Sequence, residues 1–484
     1  MQSVRAPRAP SLLVRAVLAV LLMIGFYLLA IVMAGGMLFL AYAMVVYGQR
    51  VPVRLLIICV VGAGVILWSM IPRRDRFTPP GPQLLPSEQP ELFQHIQQVA
   101  AATGQKMPAE IYLDRDVNAW VAQRGGIMGF GSRRAMALGL SLMRVLSVSE
   151  LRAVLAHEFG HYHGGDTKLG PWVYKTRAAI GRTIQGLGQS VGMVQAPFLW
   201  YGKLFLRVTH AISRQQEYTA DRLAAQTEGR ESLASGLRKT HAAGMAFAPF
   251  WQQEMVPALS AGFRPPMAEG FVQFMQAAPI SKALHETLDK ALQEEKPDLY
   301  STHPPLKHRI AAVEHLPANA GTSDNRCAVS LLRNVPQLER QLLTAIAGPE
   351  AVSKLAEAHW GELGTKVYLP IWRKLIQDEK ALLKDLTPEA LATRASSLKS
   401  LGSAADVAKR MAVIGAAVAV ASIDAGAQLV CDPGAPVAVC RDSVRIEPFG
   451  IVEQLAAKKI GGQTWCEQCR YFGIAGIQLS EAST

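Results

Sequence analysis

The residues best equipped for chemistry lie between Leu151 and Asp166, where the chain reads Leu-Arg-Ala-Val-Leu-Ala-His-Glu-Phe-Gly-His-Tyr-His-Gly-Gly-Asp. His157, Glu158 and His161 form the pattern His-Glu-x-x-His. On a helix the two histidines stand one turn apart on one face. That is the spacing at which two imidazoles grip a single tetrahedral zinc ion. Glu158, next to them, is placed to act as general base toward a zinc-activated water. Three fixed positions in five recur by chance in unrelated chains, so the context has to carry weight. Leu151, Val154, Leu155 and Phe159 recur at helical spacing. Ser147 and Glu150 make a capping box that predicts the helix start, and Gly164-Gly165 predict its stop.

A second acidic pair lies well downstream of His161, in Ser213-Arg-Gln-Gln-Glu-Tyr-Thr-Ala-Asp-Arg-Leu-Ala-Ala225. Glu217 and Asp221 share one helical face. Such a pair is usually only a solvated surface, but Ala220, Leu223 and Ala224 make its flank apolar. The arrangement suits a third ligand from a second helix. Glu217 would complete a His-His-Glu set with one position open for water, and Asp221 would accept the spare N–H of a ligand imidazole. His303 precedes Pro304-Pro305, which bias it toward an extended backbone before a helix. By spacing alone this is a simple proline-capped helix start. His241 reads as an ordinary surface or core histidine.

The elements that must position these groups begin in a membrane. The run from Ala16 to Tyr47 carries no charge, and Leu55 to Pro72 is a second uncharged run. A bilayer-spanning helix needs about 20 apolar residues, so the two runs predict a transmembrane hairpin. A cleaved signal peptide fits less well, because such apolar cores are only about 7–15 residues long. Arg5, Arg8 and Arg15 precede the first run, and Arg73, Arg74 and Arg76 follow the second, against Arg50 and Arg54 in the turn. That bias places both ends of the hairpin, and the chain beyond, in the cytoplasm. Five prolines between Thr78 and Pro90 predict a stiff linker. Next come a helix over Leu92–Thr103 and a strand over Ala109–Leu113. Asp114–Asn118 is turn-rich and Trp120-Val-Ala-Gln follows it. After a glycine-rich turn from Gly125 to Gly131, another strand runs over Arg134–Leu140. A sheet edge beside a metal can take a peptide as an added strand. Thr176–Ile212 is mostly helical, and its apolar part from Ala196 onward reads as a core helix or a membrane-touching surface rather than a third span.

The net charge of +12 comes without a basic block or interleaved aromatics. It therefore points to no nucleic-acid module, and the membrane reading leads. Six cysteines in 484 residues exclude a disulfide scaffold. Four of them, Cys431, Cys440, Cys466 and Cys469, cluster toward the C-terminus. Cys466-Glu-Gln-Cys469 has knuckle spacing, but Cys431 and Cys440 are too far apart for a partner knuckle. Unrelated thiols are the favoured reading over a second zinc. The region is helical by pattern over Leu338–Ile346, Val352–Leu386 and Pro388–Lys399, and Met411–Val430 reads as a buried helix rather than a span.

Four segments together carry a resemblance. They are Asn118-Ala-Trp120, Leu146–His161, Arg214-Gln-Gln-Glu-Tyr-Thr-Ala-Asp221 and Ser301-Thr-His-Pro-Pro-Leu-Lys-His-Arg309. In motif and order the chain resembles the HtpX-like and CaaX-prenyl-protease-like membrane zinc metallopeptidases, of gluzincin type, over residues 85–315. The resemblance implies one catalytic Zn2+ held by His157, His161 and Glu217, with Glu158 as general base and acid. It implies that Asp221 orients a ligand or assists proton transfer. It gives His303 an oxyanion-stabilising role, Arg309 the support of that wall of the site, and Asn118 a hold on the substrate backbone. The prenyl-protease branch has a large intramembrane chamber that two spans cannot build, so a prenylated substrate is not expected. Clear apolar spans between His161 and Glu217, where HtpX has membrane helices, are also lacking.

The expected architecture is α+β. It comprises a transmembrane hairpin anchor (1–76), a proline-rich linker (77–90), a mainly helical zincin-like catalytic domain with a small sheet (91–320), and a helical C-terminal region (321–484). The expected function is a membrane-anchored zinc metalloendopeptidase of the plasma (inner) membrane, acting on protein or peptide substrates in membrane-protein quality control. The alternative is a catalytically weak, membrane-tethered zinc protein that serves as a partner-binding scaffold.

Overall fold

The computed structural model describes residues 12–48, 51–73, 76–126, 131–162, 170–188, 192–294, 298, 301–317, 323–400 and 402–482. The expected helix stop at Gly164-Gly165, the tip of the glycine-rich turn, and Arg5, Arg8, Arg50 and Arg74 of the charge count lie outside the described residues. The chain divides into two compact units, 1–241 with 288–333, and 242–287 with 334–484.

In the first unit the two uncharged runs form α1 (Leu12–Val46) and α2 (Val53–Met70). Among the described residues these are the two helices long and apolar enough to cross a membrane, with mean hydropathies of 2.8 and 2.3. They pack along a seam of Met23, Phe26, Ala30, Ala34, Met37 and Ala41 against Cys59, Ala63 and Ile66. Small residues let the backbones approach, as is usual where lipid offers no hydrophobic gain for association. A Cβ on Gly62 would lie 2.5 Å from the Met37 methyl.

The sequence left residues 196–212 between core helix and membrane-touching surface. Their core partner proves to be the apolar hairpin. Helix α6 (Gly170–Leu187) and the first half of α7 (Gly192–Glu228) pack on α1 and α2. (Labels run in chain order; α3 to α5 follow below.) Phe198 and Phe205 are buried there, and Phe198 meets Phe26 edge-on at 6.4 Å. Polar groups tie the helices at several levels. Arg182 donates to the Ser69 carbonyl at 2.8 Å, and the Tyr201 hydroxyl donates to the Leu22 carbonyl at 2.5 Å. Met193 and Trp200 remain exposed.

The sheet has the order β1 (Gln83–Leu84), β2 (Glu110–Asp114), β4 (Arg133–Gly139), β3 (Ala119–Arg124). β2 and β4 are parallel, while β3 joins β4 antiparallel and is left at the edge. Helices α3 (Pro90–Ala102) and α4 (Leu140–Val145) flank the sheet in sequence. After them comes α5 (Val148–Gly160), with the predicted capping box: the Ser147 hydroxyl accepts from the Glu150 N–H, and the Glu150 carboxylate accepts from the Ser147 N–H at 2.7 Å. Glu150 is also held by Ser235 at 2.6 Å and Lys239 at 2.8 Å, both on α8 (Arg230–Phe250). Burial pushes its carboxyl up, but these hydrogen bonds outweigh burial and hold it below its usual value.

The helix ends earlier than its glycines predict. Its last residue is Gly160, and His161 is the C-cap, still in the right-handed helical region. α5 and α7 cross at Gly160, where an added Cβ would lie 2.8 Å from the Ala220 Cα and 3.0 Å from its Cβ. The first unit closes with α9 (Leu306–Glu314), capped by Pro305.

The second unit is built around α10 (Ala404–Asp424), whose residues 413–422 are all buried. This bears out a buried helix over Met411–Val430 as far as Asp424; the remainder turns into strand β5 (Gln428–Val430), which pairs with β6 (Ala438–Arg441), itself paired with β7 (Val444–Ile446). The expected continuous helix over Val352–Leu386 is broken. Short helices at Pro349–Ser353, Trp360–Leu363 and Leu369–Asp378 are separated by a two-residue strand and a π-turn at Gly364–Tyr368. The break falls at residues 354–359, where Ala356–Glu357 pair in parallel with Phe263–Arg264.

The Gly160 crossing yields a test. Gly160→Val should force α5 and α7 apart and cost about 1–3 kcal/mol of stability as overpacking does. A variant with unchanged melting temperature would show that the crossing is not tight.

Candidate active site

Three elements of the first unit bring the site together. α5 supplies His157 and Glu158, and its cap supplies His161. α7 supplies Glu217 and Asp221, and the segment 301–309 supplies His303 and Arg309. The imidazole rings of His157 and His161 meet edge-on with centroids 4.7 Å apart. Glu217 reaches both of them. Its Oε2 is 3.5 Å from His157 Nε2, and its Oε1 is 3.5 Å from His161 Nε2. A ligand atom of Glu158 also lies within 4.8 Å of one atom of each histidine. The two imidazoles are thus flanked by two carboxylates.

Asp221 is fully buried and accepts from two sides. His157 Nδ1 lies 2.9 Å from Oδ1, and the Arg309 guanidinium forks onto both oxygens at 2.7 and 2.8 Å. With Nδ1 engaged by Asp221, the Nε2 of His157 is turned toward Glu217 and left for another partner. Arg309 also lies 3.3 Å from Glu217 Oε2. That oxygen is nevertheless buried and accepts no hydrogen bond. A carboxylate with one oxygen 3.5 Å from each imidazole Nε2, the one beside His157 accepting no hydrogen bond, makes with the two histidines a donor set that fits a divalent cation of zinc's preferences.

The electrostatics set the groups apart. Burial pushes the Glu158 carboxyl up to about 7, with the Glu217 charge adding to it. Burial works the same way on Glu217, but His303, His157, Arg309 and His161 outweigh it and hold that carboxyl down at about 2. Asp221 is likewise held at about 2, because its hydrogen bonds from Arg309 and His157 outweigh burial. Burial, with the neighbouring His157 charge, lowers His161 to about 4. For His157 burial opposes the charge, but the Asp221 carboxylate outweighs it and the imidazole is held above its ordinary value. Two neighbouring carboxylates driven in opposite directions is the pattern of a base beside a permanent anion.

His303 sits at the open rim, exposed, with Nδ1 3.0 Å from Glu217 Oε1. It lines a cavity of about 380 Å³ together with Asn118, Ala119, His157, Glu158 and Arg309. The structure therefore gathers all eight site residues expected from sequence. It adds Val154, Leu237, Thr240, Leu306 and Pro304 to the cavity wall, and His241, which sequence pattern treats as ordinary. Periodicity holds no signal for these, because their shared surface exists only once α8 lies against α5. It adds Tyr162 as well, whose hydroxyl donates to the Val121 carbonyl on β3 at 2.9 Å. The four C-terminal cysteines are free thiols and form no metal-sized group among the described residues. Burial pushes Cys431 and Cys469 up to about 12, which suits inert thiols.

Comparison with known proteins bears on this geometry directly. Residues 86–317 match the model of peptidase family M48. The chain is 29% identical over 255 residues to the "Protease HtpX homolog" of Burkholderia multivorans (strain ATCC 17616 / 249), covering 49% of this chain and 76% of that relative. No solved structure matches. The matched segment holds every site residue described above. The two matches support a protease in general, and the two apolar helices are consistent with a membrane protein. Over residues 86–317 the chain is thus similar to peptidase family M48 and to an HtpX-type protease.

Proposed function

We propose that the chain is a membrane-anchored, zinc-dependent endopeptidase. The single observation that carries this reading is the position of Glu217, 3.5 Å from the Nε2 atoms of both histidines with one carboxylate oxygen unsatisfied. His157, His161 and Glu217 would hold the ion. When bound, zinc supplies the charge that polarises a scissile carbonyl and acidifies an attacking water. Glu158, with its carboxyl near neutrality, accepts the proton of that water and returns it to the leaving amine. His303, at the rim of the same cavity, donates to the carbonyl oxygen as it gains charge. Asp221 holds His157 in one tautomer, and Arg309 holds Asp221. Besides lining the cavity, Arg309 is then a positioning residue. Ala119, where β3 meets the cavity, receives the backbone of the substrate as an added strand, and Asn118 beside it holds that backbone through its side chain.

The arginine bias around the apolar hairpin supports a cytoplasmic catalytic domain at the plasma (inner) membrane. A site tethered there suits membrane or damaged proteins as substrates.

Each role has its own measurement. Glu158→Gln should retain zinc and abolish cleavage of a casein-like substrate; full turnover by this variant would sink the assignment. His303→Ala should lower kcat by roughly 100-fold, the scale of losing one oxyanion donor, and leave zinc content unchanged. Loss of metal instead would make His303 a ligand. Asp221→Ala should weaken zinc about 10- to 100-fold in competition with a chelator, as loss of a carboxylate behind a ligand histidine does. Unchanged zinc affinity would remove Asp221 from the metal's support.

A further inference from the structure

The edge of β3 is already occupied. The Asn118 carbonyl accepts from the Gly139 N–H on β4 at 2.8 Å. In an antiparallel ladder the two backbone groups of a residue point the same way and alternate along the strand. Asn118, Trp120 and Ala122 therefore face β4, and Ala119, Val121 and Gln123 present their N–H and C=O groups to the open side. An added strand would pair with those three residues.

One of the three is engaged by a side chain. The Tyr162 hydroxyl donates to the Val121 carbonyl at 2.9 Å. A phenol thus stands in for one donor of an incoming backbone. It is firmly held. The preceding residue is His161, and the Arg134 guanidinium lies 4.2 Å over the tyrosine ring. Ala119, by contrast, opens on the cavity beside Glu158.

We propose that Tyr162 is a stop on the edge strand that sets how much substrate backbone can be bound. Substrate pairs at Ala119, next to the reacting groups, and is turned away from β3 at Val121. The site then favours a short extended stretch, such as a chain end or a loop, over a long strand. This rests on the proteolysis reading given above. It places Tyr162 among the specificity-determining residues, with no part in the chemical step.

The test compares peptide series in which one cleaved core is lengthened separately at its N- and C-terminal ends. They are assayed with the full-length protein in detergent, its Tyr162→Ala variant and its Tyr162→Phe variant. An antiparallel substrate lies along Val121–Gln123 with its N-terminal part, and a parallel one with its C-terminal part. For one of the two long series, Tyr162→Ala should lower KM roughly two- to tenfold, the scale of one recovered backbone hydrogen bond. The readout is the ratio of long to short KM, compared at equal zinc loading. Tyr162→Phe, which removes the hydroxyl and keeps the ring, should give a smaller gain. An unchanged ratio of long to short KM in both variants overturns the proposal. If Tyr162→Ala loses zinc, the Phe variant decides by the same ratio. A parent protein without chelator-sensitive cleavage overturns the proteolysis reading itself, and the stop with it.

Discussion

Burying two carboxylates on one helix face is the constraint on which this site depends. Glu217 is 3% exposed and Asp221 fully buried, on an apolar stretch of α7 that packs on α5. An unpaired buried charge is costly enough that it would protonate or unfold its surroundings. Arg309 resolves much of the problem. Its fork satisfies Asp221, and its remaining nitrogen lies 3.3 Å from Glu217. The helix that carries Arg309 is thereby fixed against α7, and His303, just ahead of that helix, is brought to the rim. The polar network does not decorate the fold; it determines where the last element of the first unit must lie.

The same constraint separates the roles of the acids. Glu217 is surrounded by cationic and donor groups and stays ionised. Glu158, next in sequence to His157, faces the cavity with fewer partners and is pushed up to about 7. One permanent anion and one proton acceptor arise from identical side chains. Only their surroundings differ.

Beyond the site, the hairpin and the catalytic domain are joined by more than a linker. α7 is one continuous helix whose first half packs on the apolar α1 and α2 and whose second half carries Glu217 and Asp221. This one helix therefore ties the position of Glu217 and Asp221 to that of the apolar hairpin. Residues 196–212 are too polar to read as a span, and their phenylalanines have no obvious partner in sequence. The partner of Phe198 is Phe26, in the first apolar run and remote along the chain.

How much was legible follows from the range of the forces. The capping box at Ser147 and Glu150, the helical spacing of His157 and His161, the acidic pair Glu217 and Asp221, and the two apolar runs are local patterns. Local backbone physics reads them directly, and the sequence by itself determined the candidate donor set and the apolar hairpin. The crossing of α5 and α7 at Gly160 was not legible, because it depends on how closely Ala220 approaches. Nor was the break-up of residues 352–386, where Ala356–Glu357 pair with Phe263–Arg264. The cavity wall from Leu237 to His241 and the Tyr162 bond to Val121 exist only after α8, α5 and β3 are assembled. Sequence specified which groups could do chemistry, since side-chain type and helical period are properties of the chain. Tertiary structure alone decided which groups share charge, which oxygen is left unsatisfied and which strand edge is open, because those depend on contacts between residues far apart along it.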